Sequence, residues 1–233
     1  MNKLLGDKIY NAILGSNGLI GSYLKQVVDF THEFNSNNIN EIDKINFDTI
    51  YIAAPSGNRL TVNANPELDL QNISTIVDHL KNTKANTVVL IGTIDSILRN
   101  NLPYGSNRLW FEKQLGTIFK NLYILRLSSL IHKTIKKNVL YDFKNQCYIE
   151  NINLNAQLQW YDLNNLKKDI DYAISNNMRI QNLVSEPISH KEIVNKFFPT
   201  LQLNATTVIN STVAPWVYSK KEIFDSIEKY LNE

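Results

Sequence analysis

Apolar and polar positions follow two rhythms along this chain. Short runs rich in β-branched and aromatic residues, at 9–14 (IYNAIL), 49–53 (TIYIA), 87–91 (TVVLI) and 122–127 (LYILRL), read as buried strands. Between them lie stretches of helical spacing. Residues 19–29 follow the first strand, 68–81 carry Leu70, Ile73, Val77 and Leu80 on one face, and 104–120 follow the run TVVLI. Residues 31–34 read as a short second strand. Beyond about residue 130 the pattern loosens into a helix at 163–175, a short strand at 179–183, a helix at 190–198 capped by Ser189, and a last helix at 220–231.

Strands alternating with helices predict an α/β fold, a Rossmann-like doubly wound parallel sheet. Residues 1–130 read as its core. Residues 131–233 read as a small mixed region interleaved with the core's last elements, with no repeat and no low-complexity linker. A chain of 233 residues, 43% hydrophobic and 20% charged, suffices for one large domain of this kind. The net charge of +2 gives no pull toward nucleic acid or an anionic membrane. Cys147 stands alone, which excludes an intrachain disulfide and argues against a cysteine-based metal site. No apolar run approaches the ~20 residues needed to span a bilayer, and residues 1–15 do not read as a cleaved leader. The chain therefore reads as cytoplasmic, with no membrane partner.

The first chemistry sits between strand 9–14 and the helix after it. In Asn11-Ala-Ile-Leu-Gly15-Ser-Asn-Gly18-Leu-Ile-Gly21 three glycines recur at spacing three. A bare backbone at such a turn lets a pyrophosphate approach, and the free N–H groups of the helix start face that anion. A glycine one turn in lets the helix pack closely on the sheet. Gly15, Ser16, Asn17, Gly18, Leu19, Ile20 and Gly21 are thus the candidate phosphate cradle. An acidic residue about 20 positions on would select NAD, but none stands in the run after Phe34. Asn35 and Ser36 can hydrogen-bond either dinucleotide, so the cofactor reads as NAD or NADP.

The second place is Pro103-Tyr104-Gly105-Ser106-Asn107-Arg108, followed by Glu112. With the spaced glycines, the strand ending Ala53-Ala54-Pro55, the run TVVLIGT and the later Ile124-Leu-Arg126-Leu-Ser and Asn182-Leu-Val-Ser-Glu-Pro-Ile-Ser-His, it resembles the extended short-chain dehydrogenases/reductases. The resemblance runs in order over about 200 residues and is strongest to sugar-nucleotide epimerases, 4,6-dehydratases and dTDP-4-dehydrorhamnose reductases. It implies that Tyr104 is a general acid/base, that Thr93 orients the substrate oxygen, and that Arg108 stands where the family has lysine. Asp95 and Ser96 are rivals for the role of Thr93, because only ten residues separate Thr93 from Tyr104.

Positions i and i+4 share a helix face, so Arg108 lies alongside Tyr104, where a cation favours phenolate and can bind ribose. A guanidinium is planar and stays protonated, so it cannot relay a proton as an ammonium can. The resemblance implies cofactor contacts from Ala53, Ala54, Pro55, Tyr104 and Arg108, and substrate contacts from Ser56, Thr93, Ser128 and Ser129. It implies a nucleotide-sugar or related carbohydrate substrate, reductase, epimerase or dehydratase chemistry, and allows a homodimer. The small substrate region favours a reductase. The alternative is a cofactor-binding sensor or scaffold that has lost turnover.

The remaining candidates read as structural. His32, His79, His132 and His190 lack metal-ligand spacing. The basic run 131–142, with Lys133, Lys136, Lys137 and then Lys144, reads first as a solvated helix face and second as a phosphate contact. Trp160, Tyr161, Trp216 and Tyr218 read first as core and second as stacking platforms.

Overall fold

The structure, a computed structural model, describes residues 9–201 and 213–233. Residues 1–8, the first half of the segment expected not to be a cleaved leader, lie outside them. In chain order the strands are β1 (Asn11–Leu14), β2 (His32–Phe34), β3 (Asn46–Ile52), β4 (Lys84–Thr93), β5 (Leu122–Leu127), β6 (Ser129–Ile131), β7 (Gln157–Leu158), β8 (Trp160–Asp162), β9 (Ile180–Leu183) and β10 (Ile188–Ser189). The helices are α1 (Leu19–Val27), α2 (Arg59–Ala64), α3 (Pro66–Lys81), α4 (Asp95–Leu98), α5 (Pro103–Ile118), α6 (Val139–Asn145), α7 (Leu166–Ser175), α8 (His190–Phe197) and α9 (Lys220–Asn232).

Six strands form one parallel sheet in the order β2-β1-β3-β4-β5-β9. Side chains alternate across it as the two-residue pleat requires. Ile13, Tyr51, Val89, Ile91, Tyr123 and Leu125 enter one core with residues of α1 and α7. Leu14, Ile50, Ile52, Val88, Leu90 and Ile124 enter the other with residues of α3 and α5. Helices therefore cover both faces, and the strands are apolar on both sides, which is why they read as continuous hydrophobic runs. The fold is a Rossmann-like, doubly wound α/β sheet.

The order of winding reverses at β1, whose neighbours are β2 on one side and β3 on the other. In open parallel sheets the crevice beyond the carboxyl ends of the strands at such a reversal is the ligand site. The glycine turn follows β1 there, and 53–57 follows β3. The chain then adds short pairs, β6 with β8 and β7 with β10, while β9 returns to the main sheet beside β5.

Several expectations need correcting. The helix expected at 163–175 opens as a 3-10 turn over Leu163–Asn165, capped by Asp162, before α7 begins. In the basic run 131–142, Ile131 ends β6 and the chain is irregular from 132 until Asn138 caps α6, accepting from Tyr141 N and donating to the Leu130 carbonyl. Lys133, Lys136 and Lys137 are exposed there, and Lys144 donates instead to the Tyr230 carbonyl. On α3, Leu70 is exposed and the buried stripe runs Asp69, Ile73, Val77, Leu80. Trp216 is 49% exposed rather than core, whereas Trp160 and Tyr161 are fully buried. The Tyr161 and Tyr218 hydroxyls both donate to Asp169, at 2.6 and 2.5 Å, and both rings are buried, so neither is a stacking platform for a ligand.

Candidate functional site

The three glycines of the turn prove unequal. Gly15 has φ +88°, and a Cβ there would sit 2.6 Å from the Ala53 carbonyl oxygen. A Cβ on Gly21 would lie 2.2 Å from the Gly15 oxygen, so α1 can seat on the turn only with glycine there. Both are demanded by the fold. Gly18 is not: its backbone is extended (φ −75°, ψ 170°), and its nearest neighbour would be 3.5 Å from an added Cβ. It caps α1 with no side-chain hydrogen bond and no acidic residue in the first turn. The start of α1 thus carries neither a side-chain cap nor a carboxylate that would compete with a pyrophosphate for its N–H groups.

Around this turn, Ser16 is buried, and the Gly15 and Ser16 amides donate to the Phe34 carbonyl at 2.9 and 3.1 Å. Asn17 is exposed, while Leu19 and Ile20 are half-buried against the core. Beyond β2 the chain forms an uncharged turn. Asn35 N donates to the Asn38 side chain, Asn37 N donates to the Asn35 side chain, and Ser36 is exposed.

Tyr104 lies in the first turn of α5 and is buried, as is Arg108 one turn on. Their seat depends on Gly105, where a Cβ would meet the Arg99 and Asp95 carbonyl oxygens at 2.2 and 2.4 Å. Helix α5 therefore rests directly on the single turn α4, which is how so short a connection from Thr93 is closed. Asn63 on α2 accepts from Tyr104 N at 2.9 Å. The Tyr104 ring has the Arg108 guanidinium 4.5 Å from its centroid and the Arg59 guanidinium 5.9 Å away.

Arg108 does lie alongside Tyr104, but it is not a free cation. Nη1 and Nη2 donate to Asp69 at 2.8 and 3.0 Å, and Nη2 also donates to the Ser56 carbonyl at 2.6 Å. Both side chains of the ion pair are 7% exposed. Asn107 adds a bond to Asp69 at 2.9 Å. Asp69 escapes the sequence reading, because it stands where the buried stripe of α3 would carry an apolar residue. Arg59, half-exposed and paired with buried Asp95 at 2.5 Å, was missed because α2 is too short to show periodicity.

The rivals for the oxygen-orienting role separate. Ser96 donates to the Thr93 carbonyl and is 2.8 Å from Glu112, which in turn holds Arg126 at 2.6 Å. Asp95 holds Arg59. Both are therefore engaged in the framework. Thr93, at the end of β4, accepts from Asp95 N and, among the described residues, donates its hydroxyl proton to no other group. Ser128, just past β5, has a buried hydroxyl with no partner among the described residues, and Ser129 opens β6 with its amide bonded to the Gln159 carbonyl. Ala53, Ala54, Pro55 and Ser56 form the segment beyond β3, and Ala53 N donates to the Leu14 carbonyl at 2.8 Å. Strand ends β1, β3, β4 and β5 thus bring the glycine turn, 53–56, Thr93 and Ser128 to one edge of the sheet.

The histidines lie elsewhere. His79 pairs with Asp43, His132 contacts Thr134 and the Tyr23 ring, and His190 contacts the Asn153 carbonyl. Among the described residues no group of three or more His, Cys, Asp or Glu side chains is placed to hold a metal ion, and no helix is long and apolar enough to cross a membrane.

The sequence matches no protein-family model and no curated protein. Solved structures do match. A dTDP-4-dehydrorhamnose reductase from Clostridium acetobutylicum superposes with a TM-score of 0.71 at 12% identity, covering 96% of this chain and 99% of that one. A second such reductase, from Bacillus anthracis in complex with NADP, gives 0.68 at 14% identity, with 96% of each chain covered. A UDP-glucuronic acid 4-epimerase from Bacillus cereus, in complex with NAD and a fluorinated UDP-glucuronic acid, gives 0.68 at 11% identity, covering 95% of this chain and 93% of that one. What these likenesses establish is the architecture, a Rossmann-like α/β fold shared along nearly the whole of each chain.

Proposed function

We propose that this protein binds NAD or NADP at the Gly15–Gly21 turn and acts as an oxidoreductase or epimerase on a nucleotide sugar or a related carbohydrate. The observation that carries this reading is Gly18, a glycine the fold itself does not require, at an uncapped helix start beside the sheet's winding reversal. Similar structures bound to NAD and NADP support it, as does the edge that gathers Thr93 and Ser128 around the same crevice. On this reading residues 1–130 hold the dinucleotide, and 131–233 contribute the substrate side, including Ser128 and Ser129 at its border.

The bound cofactor would supply hydride exchange at C4 of its nicotinamide. The residues supply the rest. Tyr104 gives its hydroxyl proton to a carbonyl oxygen under reduction, or takes one from a hydroxyl under oxidation. Thr93 donates a hydrogen bond to the same oxygen and fixes it. Within the Gly15–Gly21 turn the Asn17, Leu19 and Ile20 amides meet the pyrophosphate, since those of Gly15, Ser16 and Gly18 already donate to the Phe34 and Gly15 carbonyls. Asn35 and Ser36 meet the adenosine ribose, with no charge to favour one dinucleotide. Arg108 backs the Tyr104 ring.

Tyr104→Phe tests the chemistry. Turnover of a dTDP- or UDP-4-keto sugar with NADH or NADPH falls by roughly 10²–10⁴-fold while cofactor affinity is retained. Unchanged turnover in the variant removes Tyr104 from the mechanism.

A second reading is favoured by one observation. Arg108 has its charge answered by Asp69, and Arg59 with Asp95 flanks the other approach to Tyr104. A protein that binds the dinucleotide as a sensor, without turnover, would show cofactor binding and no rate for Tyr104→Phe to alter.

A further inference from the structure

The notable feature of this site is where the Arg108 charge goes. Asp69 is buried in α3 and accepts three hydrogen bonds, two from Arg108 and one from Asn107. The same guanidinium reaches the Ser56 carbonyl and lies against the Tyr104 ring. One planar group thus ties α3, α5 and the segment beyond β3 together. A buried ion pair is a poor device for stability alone, since an apolar pair of similar volume commonly does as well. What a two-pronged carboxylate–guanidinium pair supplies is orientation, because the fork fixes the plane of the guanidinium.

We propose that Asp69 is a positioning residue, which acts through Arg108 to hold the Ser56 carbonyl and the Tyr104 ring in a single arrangement ready for the nicotinamide half of the dinucleotide. This rests on the dinucleotide reading above. It also changes what Arg108 is. The residue is half of a strut and not a stand-in for a free lysine, because a single ammonium is a point charge without the fork that serves Asp69 and Ser56 together.

The charged groups around the Tyr104 ring are Arg108 and Arg59, with Asp69 and Asp95 answering them. Asp69→Asn keeps the volume at the first of these pairs and removes its charge and one acceptor. The test is made on the full chain by two measurements. Hydrogen exchange of peptides spanning 53–65 and 103–108 is expected to quicken about tenfold in Asp69→Asn, with the central strands unchanged. Affinity for NADH or NADPH is expected to weaken about tenfold, while ADP-ribose, which lacks the nicotinamide, binds as in the wild type. Arg108→Lys gives the same split.

Unchanged exchange at 53–65 in a folded variant overturns the proposal. So does an equal loss of affinity for the dinucleotide and for ADP-ribose, which marks a purely structural pair. If the wild type binds none of these nucleotides, the dinucleotide reading fails, and the exchange measurement still decides whether Asp69 orders this segment. Should Asp69→Asn not fold, the neutral pair Asp69→Asn/Arg108→Gln replaces it, with the same quickened exchange expected and unchanged exchange overturning the proposal.

Discussion

The Asp69 carboxylate grips the Arg108 guanidinium with both oxygens, Oδ2 to Nη1 at 2.8 Å and Oδ1 to Nη2 at 3.0 Å, inside the protein. Removing one partner leaves the other charged, buried and unpaired. Asp69→Ala is therefore expected to cost about 3–5 kcal/mol. Replacing both, as Asp69→Leu/Arg108→Met, is expected to recover most of that loss. Urea unfolding of the two variants checks it, and a double variant as unstable as the single one would contradict the assignment.

The glycine turn separates folding from binding. Gly15→Ala meets the Ala53 carbonyl and Gly21→Ala meets the Gly15 oxygen, so both are expected to lower the thermal midpoint by several degrees or more. Gly18→Ala has room and an ordinary backbone, so it is expected to melt like the wild type and yet bind dinucleotide at least about tenfold more weakly. Thermal melts paired with cofactor titrations of the three variants measure the contrast.

Two buried histidines give a pH dependence. Burial holds the His190 imidazole below the ordinary histidine range against a hydrogen bond to the Asn153 carbonyl that pulls it up. His190 Nε2 has no hydrogen-bond partner among the described residues, so protonation there gains no bond to them in the folded state. Burial, helped by Lys133, lowers His132 as well. The unfolded chain then binds more protons than the folded one between the folded values and about 6.5. Stability is expected to be fully present well above the ordinary histidine range and to fall as the pH drops below about 6.5 toward the lowered folded-state values. Denaturant unfolding across that range measures it, and His190→Gln should flatten the slope.

Much of the framework was legible because its strands are buried on both faces and so appear as unbroken apolar runs. TVVLI became the middle of β4, and LYILRL became β5. The Ser189 cap was legible too, and it forms a full capping box with Glu192. What escaped were pieces without a period: α2, with only Val62 buried, and the pairs β6–β8 and β7–β10, two or three residues long. Within the site, Tyr104 and Arg108 were found by their spacing on one helix. Asp69 is 39 residues from Arg108 and sits where the stripe of α3 would place an apolar residue, so only the closed fold joins them. The Leu70 error has the same origin, since the buried face is turned by one position to admit that acid.

The turn around Gly18 is expected to receive a nicotinamide dinucleotide. Equilibrium fluorescence titration of the protein with NADH and with NADPH measures this. Saturable one-site binding of at least one of them, with a Kd of roughly 1–100 μM and loss of that binding in a Gly18→Ala protein that melts normally, is the predicted result. A folded wild-type protein that binds neither contradicts the account.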